Sequence, residues 1–190
     1  LPVVAEKMAE IAPLPLNPSS VHRLGRHARM LVEGARKSLS QMIGVWPNEI
    51  IFTSSGTEAN NLALKGITDS CLIVGATEHS SVLNVAKQRS CSRYIPVDAQ
   101  GILQLEALES ELQLCNQRPL VSVMLANNET GVIQPIREIA AIVHRYGGLL
   151  HCDAVQGLGK HSFDFGTLGV DMLTVAVHKI GGPVGVGALV

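Results

Sequence analysis

What most constrains this chain is a recurring unit. A short apolar run is followed by a cluster of small and polar residues, and then by a segment of helical periodicity. The apolar runs fall at residues 49–53, 71–76, 94–97, 120–126, 148–152, 171–177 and 186–190. Most of them lack a polar alternation, so they read as strands buried on both faces. Strands of this kind that alternate with helices form a mostly parallel, doubly wound α/β sheet with helices on both faces. In such sheets ligands bind in the crevice beyond the carboxyl ends of the strands.

The helical segments fill the gaps. Residues 3–11 can form a short helix, which Pro13, Pro15 and Pro18 break. Asn17-Pro18-Ser19-Ser20 reads as a turn with a helix N-cap at its end. Over residues 21–43, Leu24, Ala28, Leu31, Ala35, Leu39 and Met42 recur at three- and four-residue steps and mark one face of a long helix, closed by Gly44. Arg23, Arg26, Arg29, Arg36 and Lys37 supply its solvated face. Further helices are predicted at 57–65, 80–89, 103–114 and 135–146. Residues 1–20 read as a segment leading into the fold, and residues 21–190 as one large domain.

The polar clusters carry the chemistry. Ser54-Ser55-Gly56-Thr57 joins a strand to a helix N-terminus, where free N–H groups and the helix dipole favour an anion. His79 follows the strand at 71–76, Asn128 follows that at 120–126, and Asp153 with Gln156 follows that at 148–152. Lys179 follows the strand at 171–177, directly before Gly181-Gly182-Pro183. A lysine desolvated there would have a lowered pKa and could attack a carbonyl. Each cluster taken singly also fits a capped helix or a solvated turn. Together they line one sheet edge.

An anion cradle, a carboxylate, a carboxamide, an imidazole and a nucleophilic lysine match the needs of pyridoxal 5'-phosphate. That cofactor requires a lysine for its aldehyde, an acid opposite its ring nitrogen and a phosphate site.

The chain resembles the cysteine desulfurases of the class V aminotransferase (fold type I) superfamily, with selenocysteine lyases as close relatives. The matching stretches are Asn17-Pro18-Ser19-Ser20-Val21-His22, the run from Thr53 to Asn61, Glu78-His79, the run from Asn127 to Pro135, the run from His151 to Gln156, and the run from His178 to Pro183. The resemblance implies that Lys179 holds the cofactor and later moves the substrate Cα proton. It implies that Asp153 pairs with the ring nitrogen, Gln156 meets the phenolic oxygen, and His79 stacks on the ring as a candidate acid–base. Gly56, Thr57 and His178 are implied at the phosphate, and Asn128 at the cofactor or substrate. The implied reaction takes L-cysteine to L-alanine and leaves a persulfide on an enzyme cysteine, for a sulfur-acceptor or scaffold protein serving iron–sulfur assembly or thiolation. A homodimer is implied for the full-length protein. The alternatives are a selenocysteine lyase, another class V lyase or transaminase, or an inactive truncated paralogue.

The chain departs from the family pattern at Ala176, where a serine or threonine hydroxyl usually meets the phosphate, and at Gly181, often a tyrosine. The family's persulfide cysteine and carboxylate-binding arginine lie downstream of the lysine. None of Cys71, Cys91, Cys115 and Cys152 matches the former, so a fragment truncated before its small C-terminal domain is expected, inactive by itself.

The net charge of -1 offers nothing to nucleic acid or to a membrane surface. No apolar run nears the roughly 20 residues of a membrane span. Four scattered cysteines without a CxxC pair or metal spacing fit reduced thiols in a cytoplasmic setting.

Overall fold

The computed structural model describes residues 1–14, 16–161 and 164–190. Pro15, read above as one of the helix breakers, lies outside them. The elements in order are α1 (Pro2–Ile11), α2 (Arg23–Ile43), β1 (Ile51–Thr53), α3 (Gly56–Gly66), β2 (Ser70–Gly75), α4 (Ser80–Gln88), β3 (Ser92–Ile95), α5 (Leu105–Gln113), β4 (Arg118–Met124), α6 (Ile136–Arg145), β5 (Leu149–Asp153), α7 (Phe165–Leu168), β6 (Met172–Ala176) and β7 (Gly187–Leu189).

The described strands form one 7-stranded sheet in the order β1-β7-β6-β5-β4-β2-β3. Four neighbouring pairs are parallel, as the α/β alternation predicts. The exception is β7, which runs antiparallel between β1 and β6. Its short return from β6 carries only a 3-10 turn, whereas a parallel crossover is usually made through an α-helix. β2 is buried along its whole length, which explains its unbroken apolar sequence. The main core lies on one face of the sheet under α5 and α6, where Leu108, Ile139, Val143, Leu150 and Leu173 are inaccessible to solvent. A second cluster packs α3 and α4 against the opposite face through Leu64, Leu72, Val82 and Leu120.

Several boundaries differ from expectation. α2 is capped by His22, not Ser20: the His22 Nδ1 accepts from the Gly25 N–H at 3.2 Å. Its predicted apolar face is only partly covered. Ala28 is buried, but Met42 is 60% exposed, and Leu24 and Ala35 are exposed too. Periodicity defines a stripe; it does not supply what packs on it. Pro47–Glu49 is a 3-10 turn, which delays β1 to Ile51; the Glu49 carboxylate accepts the Trp46 N–H. The last strand before the lysine stops at Ala176, and Val177–Ile180 turns as a 3-10 helix.

Candidate active site

The carboxyl ends of β2, β4, β5 and β6, the turn after β1 and the start of β7 meet at one edge. A cavity of about 250 Å³ opens there, and Gly56, Thr57, His79, Asn128, Asp153, Gln156, His178 and Lys179 all line it. These are the eight residues singled out from the sequence.

One wall is the start of α3. Ser55 is the N-cap, its hydroxyl accepting the Glu58 N–H at 3.1 Å. Helix geometry leaves the N–H groups of Gly56 and Thr57 without intrahelical acceptors. The Glu58 carboxylate turns back to accept the Ser54 N–H at 2.6 Å and the Ser54 hydroxyl, bonds that lower its pKa. Close packing holds this turn. A Cβ on Gly56 would sit 2.9 Å from Val155 Cγ2, and one on Gly187 would fall 2.5 Å from the Ser55 carbonyl carbon. Ala176, fully buried, packs beneath Gly56.

The floor is Asp153, the last residue of β5 and 6% exposed. Its Oδ1 accepts the Val155 N–H at 3.0 Å and its Oδ2 accepts Asn60 Nδ2 at 2.7 Å. Among the described residues no cationic side chain forms an ion pair with it. Burial pushes the carboxyl above its usual range, and the bonds from Asn60 and Val155 act against that.

Asn60 extends the network. An ionised Asp153 only accepts, so Asn60 presents its amide nitrogen, which also donates to Ser81 Oγ at 2.9 Å. Ser81 Oγ lies 2.7 Å from His79 Nδ1, and the Ser81 N–H donates to the same nitrogen at 3.1 Å. Nδ1 is therefore an acceptor, and the ring proton is placed on Nε2. A continuous path of hydrogen bonds thus runs from Asp153 to His79.

The remaining groups are set by their neighbours. Lys160 Nζ donates to Gln156 Oε1 at 2.7 Å, which leaves the Gln156 amide nitrogen as the free donor. Adjacent asparagines divide their work. Asn127 Oδ1 accepts the N–H groups of Glu129 and Thr130, and its amide donates to the Thr77 carbonyl, while Asn128 lines the cavity. Glu78 is buried behind His79 and accepts the Met124 N–H at 2.9 Å; burial holds its carboxyl well above the usual range. Lys179 is exposed at the cavity rim, so the desolvated lysine expected from the sequence is not found. The 3-10 turn carries it out of the sheet instead of leaving it at a strand end.

Sequence reasoning passed over Asn60, Ser81 and Lys160. Each left a signal. Asn60 lies four residues after Gly56 and so on the same helical face, and Lys160 stands four residues after Gln156 in the turn that follows β5. Ser81 sits in the first turn after His79, where hydroxyls reach back to a capping residue.

Residues 2–190 match the aminotransferase class-V family. The chain belongs to that family. It is 39% identical to the IscS-like cysteine desulfurase of Mycobacterium tuberculosis, over 99% of this chain and 51% of that protein. It is 43% identical to cysteine desulfurase IscS 1 of Archaeoglobus fulgidus, over 91% of this chain and 47% of the relative. The solved structure of a NifS-like protein from Rickettsia africae superposes with a TM-score of 0.96 at 40% identity, covering 100% of this chain and 54% of that one. The chain thus spans about half the length of the curated relatives it matches. Class-V aminotransferases in general use pyridoxal 5'-phosphate. The residues here fit that group. A buried carboxylate without a cation, a donor amide, an amine and two free N–H groups converge on one cavity. The buried, unpartnered Asn60 Oδ1 adds polar capacity beside it.

Proposed function

We propose that this chain is the cofactor-binding half of a pyridoxal-phosphate-dependent cysteine desulfurase. The observation that carries the reading is Asp153: a buried carboxylate that faces the same cavity as Lys179 and has no cationic partner among the described residues. A protonated ring nitrogen would complete it. Lys179 would hold the cofactor through Nζ, the N–H groups of Gly56 and Thr57 would take its phosphate with His178 beside them, and Gln156 would donate to its phenolic oxygen. Asn128 would line the substrate side. When bound, the cofactor supplies an electron sink for the carbanion left at the substrate Cα.

The chain's own residues do the rest. Asp153 keeps the ring nitrogen protonated. His79, with Nδ1 engaged by Ser81, presents an Nε2 proton to the cavity and can donate it. Lys179, at the rim, can carry a proton to and from the substrate Cα. The net reaction moves sulfur from L-cysteine to an enzyme thiol, giving L-alanine and a persulfide. The thiol's proton balances the new methyl group.

None of the four cysteines lines the cavity. Cys152, though next to Asp153, points into the core, where burial raises its thiol pKa well above the ordinary value. The acceptor thiol and the substrate-carboxylate arginine are therefore assigned to a further part of the protein, as are the homodimer contacts and the sulfur-acceptor partner. No helix of the described residues is long and apolar enough to cross a membrane. A cytoplasmic location is part of the same proposal.

The test is reconstitution. Purified chain mixed with pyridoxal 5'-phosphate should gain a visible absorbance band, and borohydride should fix the label on Lys179. Lys179→Ala should lose both. A band that survives Lys179→Ala unchanged, or a label on another lysine, would sink the assignment. Release of alanine from L-cysteine by the longer protein then tests the reaction itself.

A further inference from the structure

We propose that Cys71 and Cys91 form a reversible dithiol–disulfide site that is oxidised by hydroperoxides. Cys71, the second residue of β2, is buried, and Cys91, directly before β3, is exposed. β2 and β3 run parallel with Leu72 opposite Ser92, so one step back the two cysteines face each other. The Leu72 N–H donates to the Cys91 carbonyl at 3.1 Å, which keeps the backbones at ladder spacing. The two sulfurs lie 3.0 Å apart. A disulfide bond is about 2.05 Å long, so closure needs a movement of roughly 1 Å.

The pair is open to an oxidant from solvent. β3 is the terminal strand of the sheet, and solvent reaches Cys91 from its open side. The hydrogen bond to Cys71 holds the Cys91 thiol pKa above its ordinary value, and the charge of Arg93, paired with Glu111 at 2.6 Å, acts against that. Among the described residues neither of the other two cysteines bonds to a sulfur: Cys115 donates to the Glu111 carbonyl, and Cys152 is sealed in the core. The site lies at the opposite end of β2 from Glu78 and His79, so it does not belong to the cavity described above.

The chemistry balances with hydrogen peroxide as oxidant. The Cys91 thiolate attacks one peroxide oxygen, the O–O bond breaks, and the departing hydroxide takes up the thiol's proton as water. The Cys71 sulfur then attacks the resulting sulfenic acid. The S–S bond forms, the S–O bond breaks, and the second water leaves with the Cys71 proton. Two thiols are oxidised by two electrons and one peroxide is reduced to two waters.

Reduced chain would be exposed to hydrogen peroxide, unfolded, alkylated and mapped by peptide mass spectrometry. The expected result is the loss of two of the four alkylatable thiols and one cross-linked peptide pair joining Cys71 to Cys91, both reversed by dithiothreitol. Cys115→Ser should keep the cross-link. Cys91→Ser, a change at an exposed position that leaves the core untouched, should abolish it and leave Cys71 alkylatable. Oxidation of Cys91 to the sulfinic acid with Cys71 still free, or a Cys91-mediated link between two chains, would overturn the proposal.

Discussion

His151 and Asp153 stand two residues apart on β5, on the same face of the sheet, and both are buried. Their surroundings differ in one respect. His151 is satisfied on both sides: its Nδ1 lies 2.9 Å from Ser122 Oγ on β4 and its Nε2 lies 2.9 Å from Thr174 Oγ1 on β6. Burial lowers its pKa to about 3, so the ring is neutral and fixed within the sheet. Asp153, one layer nearer the strand ends, keeps an open side toward the cavity. The first group is buried and complete, and so it serves the fold. The second is buried and open on one side, and burial raises its pKa.

That contrast can be broken from either layer. The largest effect is expected at the open one. Asp153→Asn keeps the shape and removes the charge, and loss of one partner of a buried ion pair costs about 2–5 kcal/mol. Cofactor affinity, read by absorbance titration, should therefore fall by roughly 30-fold or more; unchanged affinity would make Asp153 a structural carboxylate. His151→Ala should act on stability instead. It opens a cavity and strands two hydroxyls, a loss of about 2–4 kcal/mol in urea unfolding, with cofactor affinity held within about threefold.

The two groups should also respond to acid with opposite signs. His151 titrates near 6.5 in the unfolded chain and at about 3 in the folded one. Between those values the unfolded chain binds the extra proton, so falling pH costs stability, by at most about 1.4 kcal/mol per pH unit. Asp153 has a folded pKa above its unfolded value, so the folded chain takes that proton first and acid favours it there. Urea midpoints from pH 7 to pH 3 should decline less steeply in His151→Ala and more steeply in Asp153→Asn than in the parent. Parallel acid limbs in all three would disprove the account.

Two smaller changes sharpen the boundary between the layers. Ala176→Ser would bury a hydroxyl beneath Gly56, costing about 1–2 kcal/mol without an acceptor. Thermal melts with and without the cofactor would show whether a phosphate rescues it; equal losses in both would mean that the hydroxyl does not reach the site. Ser81→Ala removes one bond to His79 and leaves the backbone N–H in place. About 1 kcal/mol, or fivefold in cofactor affinity, is expected, together with a changed ring tautomer ratio by nitrogen NMR. An unaltered ratio would show that the backbone bond alone sets the ring.

Much of the arrangement could be read in advance, because strand ends in a parallel sheet are marked by chemistry. Unbroken apolar runs give way abruptly to polar residues there, and this shift located Gly56, His79, Asn128, Asp153, Gln156 and Lys179 at one edge. The antiparallel entry of β7 could not be read, because a three-residue strand carries no directional signal. The covering of α2 escaped for a related reason: a stripe at helical spacing is a local property, whereas burial depends on a partner.

By itself, then, the order of residues determined the α/β class, the edge at which the polar residues gather, and the separate identities of carboxylate, imidazole and amine. These follow from periodicity and residue type, which act over a few positions along the chain. Only the tertiary structure decided which groups complete one another. Asn60 and Asp153 are 93 residues apart, yet their side chains meet at 2.7 Å. His151 is silenced by hydroxyls from two other strands, and Cys71 meets Cys91 across a ladder. Burial and hydrogen-bond satisfaction are properties of what surrounds a group in space, and they separate a histidine bonded within the sheet from an aspartate open to a cavity.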